Sequence, residues 1–398
     1  MIVGRILPSF MLMLDRSFTY RPLSEAGEDQ QVKSLLAQCF NAPRDRESLY
    51  FDLMGRDRYR GFWVGDRFAG ALALLPMGQW WNHQRVPMTG IASVGIAPEH
   101  RGSGVALAMM QQMLLELHQQ NVPLTTLYAA AQRLYRRAGY EQAGSVCGWE
   151  IETGSIALRH RPLSVRSIAL EADLLMKMQH QQAIVNNGHL DRHPAMWKLL
   201  LTETDAPLYA YEFGDGEGYI VFRQEADQSL LKIVDWAVLT AAAGQTFWSF
   251  LSDHRSQIDK IRWTSAAIDP LSFWLPEQTA NPRFVDRWML RIVDVVSALE
   301  LRGYPSDISA ELHFEVQDDL ITANCDRFCL TVSNGRAHVT RGGRGDLKLD
   351  IRGLAPLYTN LFCASQLQQM GVLEGDRDTL MQADRIFTAA PPWMPDFF

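Results

Sequence analysis

The chain has little cysteine for its length: Cys39, Cys147, Cys325, Cys329 and Cys363, scattered through 398 residues. So few cannot staple a fold this large, which points to a reducing compartment and to stability from a packed core. A basic surplus is also missing, since 38 Lys and Arg stand against 45 Asp and Glu for a net charge of −7. With no excess cation to neutralise phosphates, a general affinity for nucleic acid is excluded. No apolar run approaches the roughly 20 residues of a membrane span. The opening "MIVGRILPSFMLMLDRSF" contains a proline and no small-residue cleavage pattern, so it does not read as a signal peptide. A cytoplasmic protein is expected, starting at Met1, Met11 or Met13, with residues 1–17 an extension outside the folded part.

Metal spacing is lacking too. Cys325 and Cys329 stand four apart in "TANCDRFCLTV", which alternates like a strand. On one strand face they lie roughly 13 Å from each other, too far for one ion. His189 and His193 have helical spacing, but Gly188 and Pro194 beside them mark a loop. No metal site is expected.

What is present is an ordinary globular composition, 47% hydrophobic and 21% charged, in a chain long enough for two or three domains. From Tyr20 to Glu152 the elements read as two helices, a three-strand meander, a helix, a strand, a helical turn and a strand. Beyond Arg159 the order partly recurs: a helix, a hairpin at Gly214–Asp215–Gly216, the strand "LLKIVDWAVL", a helix and the strand "KIRWTSA". A third unit carries alternating runs joined at Asn334–Gly335 and two helical segments near Leu357 and Leu367. The fold class is α/β with mixed sheets.

One stretch, "VGIAPEHRGSGVALAMMQQML", joins a strand to a helix whose apolar face is Val105, Met109, Met110, Met113, Leu114 and Leu117. Gly102 and Gly104 let an anion approach bare backbone at the helix N-terminus, and Arg101 adds a cation. No Lys-Ser/Thr follows, so this is not a nucleotide P-loop, and the preceding meander does not suit a dinucleotide fold. The corresponding junction of the second copy, "VLTAAAGQTFW", has neither the arginine nor the glycine pair.

The string "VGIAPEHRGSGVA" resembles the Q/R-x-x-G-x-G/A acetyl-coenzyme A motif of the GNAT acetyltransferases, through Arg101, Gly104 and Ala106. Together with "LYRRAGY" and the closing "WMPDFF", the layout is similar to the Eis family of N-acetyltransferases. The resemblance implies two tandem GNAT folds with mixed central sheets followed by a sterol-carrier-protein-like α+β domain. The expected bounds are 18–157 for the catalytic GNAT domain, 158–287 for a degenerate second one and 288–398 for the third. It further implies acetyl-coenzyme A as cosubstrate, with Val94, Gly95 and Ile96 holding the pantetheine arm and acetyl carbonyl. Gly102, Ser103, Gly104, Val105, Ala106 and Leu107 would hold the pyrophosphate, and Ala130 and Ala131 complete the expected cofactor-binding set. One departure is that Eis proteins can carry an arginine cluster in the phosphate loop where this chain has Gly-Ser-Gly.

By the same resemblance Tyr135 is the general acid, and the α-carboxylate of Phe398 is the base or the anchor for the amine. A carboxyl of pKa about 3.5 is a poor base for an ammonium near 10, which favours the anchoring role. For the acceptor the family suggests polyamines, lysine side chains or aminoglycosides. Trp63, Trp80, Trp81, Tyr50, Phe51 and Trp393 are candidates for an aromatic cleft, and Asp52, Asp57 and Asp396 for attracting an amine. No nucleic-acid or membrane partner is expected, and the family implies a homo-oligomer, a hexamer. The alternative from another class is a non-catalytic lipid- or ligand-binding protein that acts through its third domain.

Overall fold

The computed structural model describes residues 17–202 and 206–398. The expected N-terminal extension therefore lies, but for Ser17, outside the described residues. The first unit runs β1 (Phe18–Pro22), α1 (Glu28–Phe40), α2 (Arg44–Met54), β2 (Tyr59–Val64), β3 (Arg67–Trp81), β4 (Gln84–Ile96), α3 (Val105–Gln119), β5 (Leu124–Tyr128), α4 (Gln132–Arg137) and β6 (Glu141–Glu152). The second runs β7 (Val165–Ile168), α5 (Ala172–Ile184), β8 (Leu190–Asp191), α6 (Pro194–Leu200), β9 (Leu208–Phe213), β10 (Gly218–Glu225), β11 (Leu230–Val238), α7 (Ala241–Ser252), β12 (Lys260–Ser265) and β13 (Asn281–Ile292). The third has α8 (Val295–Leu301), β14 (Ser309–Gln317), β15 (Asp326–Ser333), β16 (Arg336–Arg341), β17 (Leu347–Asp350), α9 (Ile351–Thr359), α10 (Ala364–Gln369), β18 (Leu373–Glu374) and α11 (Arg377–Phe387).

The first two units share one sheet, ordered β1-β2-β3-β4-β5-β13-β6-β12-β11-β10-β9-β7, with β8 paired on β3. In each copy one parallel pair, β4 with β5 and β11 with β12, sits inside antiparallel neighbours. The closing strands are exchanged. β13, from the end of the second copy, pairs with β5, while β6, from the end of the first, pairs with β12. β6 and β13 also pair with each other along nearly their whole length. The boundary expected at 287/288 therefore falls inside β13, a strand that completes the first copy's sheet.

The apolar stripe read on α3 packs inward: its six residues are buried together with Tyr140 and with Met289 of β13. In the third unit β15 alternates, turning Phe328, Leu330 and Val332 into the core beside Leu354 and Leu357 of α9. That unit docks through α9, which packs on β6 and β13 and sets Tyr358 edge-on to Trp81 with ring centroids 5.6 Å apart. Asp294, Asp350 and Asp376 cap α8, α9 and α11 by accepting backbone N–H bonds. The strand expected through both Cys325 and Cys329 begins only at Asp326. Cys325 lies in the turn before it, its thiol 3.0 Å from the Asp318 carbonyl. Among the described residues no helix is long and apolar enough to cross a membrane.

Candidate active site

β4 and β5 pair only over Met88–Gly90 against Leu124–Thr126 and then part. Just past that apex β4 carries one extra residue: Ala73 faces Ala92 but Ala71 faces Gly95, and Ser93 adopts φ 53°. A bulge of this kind bends a strand and frees backbone groups from the ladder. A left-handed conformation at a residue with a Cβ costs on the order of 1 kcal/mol. Val94, Gly95 and Ile96 lie along the open edge so formed, with no strand beside them on the β5 side.

The chain then turns through Pro98–His100 into the glycine pair, with Gly102 at φ 74° and Gly104 at φ 89°. Gly104 is the N-cap of α3 and supplies no side chain to it, so the first-turn N–H groups of Val105, Ala106 and Leu107 point outward without a side-chain partner. A Cβ at Gly102 would meet nothing within 4 Å, so the loop is open at its tip. Ser103 Oγ donates to the His100 carbonyl at 2.6 Å and tightens the turn. Arg101 folds back: its Nε donates to the Ile96 carbonyl at 3.1 Å and its Nη2 lies 3.4 Å from Cys39 Sγ. It braces the loop against β4 and α1, and an exposed guanidinium face is left over. These residues fit a diphosphate: the first turn of α3 has no side-chain cap, the dipole has the right sign, and Gly102 at the loop tip is open among the described residues.

Tyr135 lies on α4, 6% exposed, edge-on to Tyr140 with centroids 6.0 Å apart. Burial pushes its phenol up to about 12. Among the described residues the hydroxyl has no hydrogen-bond partner, and it reaches accessible space. Ala131 is the N-cap of α4, and Ala130 lines the hollow beside Tyr128 and Gln132.

The end of the chain enters here. Trp393 N–H donates to the Asn187 carbonyl at 3.0 Å and Met394 N–H to the Ser145 carbonyl at 3.2 Å. Tyr128 donates its hydroxyl to the Met394 carbonyl at 2.7 Å and stacks on Phe397 with centroids 4.4 Å apart. Phe398 comes against Gly90, where a Cβ would stand 2.7 Å from its ring and 2.5 Å from the Met77 methyl. Gly90 is the last β4 residue paired to β5, so Phe398 occupies the apex of the split. Neither Gly90 nor Tyr128 stands out in sequence; the only signal is their place at the ends of the parallel pair.

Beside Phe398 opens a cavity of about 660 Å³ that includes Phe40, Glu47, Tyr50, Ser93 and Leu199. Burial raises the Glu47 carboxyl above its usual range and pushes the Tyr50 phenol up to about 12. Tyr50 is thus the one member of the expected aromatic set on this wall. Trp393 lines a second cavity, about 580 Å³, at the β11–β12 split. The others are core or surface. Arg21 lies 4.1 Å over Trp63, Trp80 meets His180, Trp81 packs on Trp288 and Tyr358, and Phe51 stacks on Tyr59. Of the expected acids, Asp52 pairs with Lys33 and Asp57 with Arg58 at the surface, while Asp396 is buried against Arg192. Glu47, which sequence reading passed over, is the carboxylate that faces the cavity.

The spaced histidines do not converge. His193 caps α6, accepting from Ala195 N–H; His189 is edge-on to Trp393, and burial together with the Arg192 charge pushes its pKa down to about 3 and keeps it neutral. Glu311, His313 and Cys329 bring one ligand atom each within 4.8 Å of one another. There, His313 Nδ1 faces the Arg344 N–H at 3.4 Å and Nε2 faces Glu311 at 2.7 Å. That assigns the ring proton to Nε2, as a hydrogen bond to the carboxylate.

Residues 19–143 and 188–292 each match an acetyltransferase (GNAT) domain family, and 295–395 match a sterol carrier protein domain. The crystal structure of a GCN5-related N-acetyltransferase from Anabaena variabilis superposes with a TM-score of 0.94 at 48% identity, covering 96% of this chain and 100% of that one. The chain is a GNAT acetyltransferase of the Eis type. Over 94% of both chains it is 28% identical to an N-acetyltransferase of Streptomyces avermitilis. It is 26% identical to the N-acetyltransferase Eis of Mycobacterium tuberculosis, over 77% of this chain and 79% of that one. Acetyltransferases of the GNAT family use acetyl-coenzyme A generally.

The second GNAT copy keeps the architecture, but its strand-to-helix junction is closed. β11 still bulges, Phe222 facing Ile233 but Val221 facing Asp235. At the start of α7, however, Thr240 accepts the Ala243 N–H and donates to Glu217, so the first turn is capped and has a carboxylate beside it. The β11–β12 split is bridged by the Trp236 indole N–H, 3.1 Å from the Thr264 carbonyl, and Trp393 stacks on Trp236 with centroids 6.1 Å apart.

Proposed function

We propose that this acetyltransferase moves the acetyl group of acetyl-coenzyme A directly to a primary amine, on a polyamine, a lysine side chain or an aminoglycoside-like acceptor. The observation that carries the reading is the meeting of Phe398 with Gly90 at the apex of the β4–β5 split, one strand from an uncapped helix N-terminus.

Bound there, acetyl-coenzyme A supplies an acyl thioester. Gly102, Ser103, Gly104, Val105, Ala106 and Leu107 offer backbone donors to its diphosphate, and Arg101 holds their loop. Val94, Gly95 and Ile96 offer the freed edge of β4 to the pantetheine arm and the acetyl carbonyl, with Ala130 and Ala131 on the opposite wall. Donors fixed before reaction stabilise charge growing on a carbonyl oxygen without reorganisation. The amine enters from the cavity beside Glu47 and Tyr50, where the α-carboxylate of Phe398 receives it as an ammonium. Its proton leaves through water, because a carboxylate near pKa 3.5 is too weak to keep it. The C–N bond forms as the C–S bond breaks, Tyr135 gives its proton to the sulfur, the new amide nitrogen releases its extra proton to water, and the phenolate regains one from solvent. A phenol held near 12 is a weaker acid than a free thiol, so its transfer is concerted with C–S cleavage.

Spermidine, kanamycin and a lysine-bearing peptide, compared as acceptors by thiol release, test the reading. At least one should turn over, and adding a few residues after Phe398 should abolish that turnover while the melting temperature holds. Full activity in the extended protein would remove the carboxylate from the reaction. The Eis-type layout extends the proposal to a cytoplasmic homo-hexamer, which light scattering at monomer mass would contradict.

A further inference from the structure

Arg192 is 7% exposed and lies just after β8, the short strand that clips the second unit onto β3 of the first. Each of its three nitrogens donates to a carboxylate. Nη1 and Nη2 fork onto the two carboxylate oxygens of Asp235 on β11 at 2.7 and 2.9 Å. Nε donates to Asp396 Oδ1 at 2.7 Å, and the Trp197 ring lies 4.6 Å beneath the plane. Tyr219 donates its hydroxyl to Asp235 Oδ2 at 2.6 Å. Asp235 and Asp396 are each 6% exposed, so one cation holds two buried carboxylates, one from a sheet strand and one two residues from Phe398.

A buried ion pair contributes little net stability, because desolvation offsets the attraction; its best-attested use is to fix one register among alternatives. That choice matters here. The segment from Trp393 to Phe398 forms no helix and joins the sheet only through an isolated bridge between Ser145 and Trp393. The main chain is hydrogen-bonded up to Met394; beyond it Phe397 and Phe398 are held by apolar contacts, which are non-directional and leave those last residues free to slide. A bidentate fork with a third in-plane bond does not tolerate sliding.

We propose that Arg192, oriented by Asp235, is the positioning residue of the C-terminal segment: it locks Asp396 and so sets Phe397 on Tyr128 and Phe398 at the apex of the β4–β5 split. The effect on catalysis rests on the function proposed above; the effect on the tail does not.

Arg192→Gln, Arg192→Lys and Asp396→Ala are to be compared with the parent for carboxypeptidase A release of Phe398 and Phe397, read by mass spectrometry, and for melting temperature, kcat and KM. Release should quicken at least tenfold in Arg192→Gln and Asp396→Ala, with kcat falling at least tenfold and KM for acetyl-coenzyme A within about twofold. Arg192→Lys keeps the charge but not the fork, and should recover part of both losses. Asp396→Ala alters only the tail partner, and decides the matter if Arg192→Gln does not fold. Parental release rates in a folded Asp396→Ala protein overturn the proposal. Fast release with parental kcat supports the anchor and overturns instead the part assigned to Phe398.

Discussion

At the scale of single residues, the site depends on atoms that lack partners. The Tyr135 hydroxyl makes no hydrogen bond among the described residues, and its burial favours the neutral phenol. Tyr135→Phe removes the proton and leaves the ring packed on Tyr140. Steady-state assays should show kcat lowered by roughly 10²-fold or more, the scale of general acid catalysis, with KM for acetyl-coenzyme A nearly unchanged. An unaltered kcat would take Tyr135 out of the mechanism. Because burial pushes the phenol up to about 12, a general acid at Tyr135 would be lost only near pH 12. Activity should therefore not decline through this group as pH rises to 10. Gly90 acts by what it omits, since a methyl there would collide with Phe398 and Met77.

At the scale of elements, the contrast between α3 and α7 separates an open helix N-terminus from a closed one. Both follow a bulged strand at equivalent places in the two copies. A threonine hydroxyl closes the N-terminus of α7, whereas that of α3 is left to glycine at φ 89°. Gly104→Glu places a carboxylate where the proposed diphosphate would sit and forces a side chain into a left-handed backbone conformation. The strain costs on the order of 1 kcal/mol, a small shift in melting temperature. Calorimetry should show acetyl-coenzyme A binding weakened well over tenfold, and parental affinity would mean the loop is not the diphosphate site.

At the scale of the whole molecule, the exchanged strands join the two GNAT copies in one continuous sheet. β5 has β13 as its outer partner, and β13 arrives from more than 150 residues later in the chain. A fragment ending at residue 157 keeps the motif but lacks that partner, leaving the edge of β5 and part of the α3 core, Met289 included, uncovered. Expressed alone it should be insoluble or molten by near-ultraviolet circular dichroism. A cooperatively melting fragment that binds acetyl-coenzyme A would show the exchange to be dispensable. The tail is a second long-range link, crossing Ser145, Asn187 and Arg192 before it reaches the first copy's site.

Sequence alone determined what local chemistry fixes. The glycine pair and the apolar spacing of α3 are written in consecutive residues, because backbone freedom and helical periodicity act over a few positions. Tyr135 and Phe398 could be named because they sit in motifs that resemble a known family. Only the tertiary structure decided which strand closes which sheet, that Asp396 is buried on Arg192 and does not face an amine, and that Glu47 and Tyr50 line the cavity. Strand pairing depends on alternating faces that β6 and β13 share, so pattern cannot say which copy each will join. A carboxylate reads the same in sequence whether water or a guanidinium from two hundred residues away solvates it.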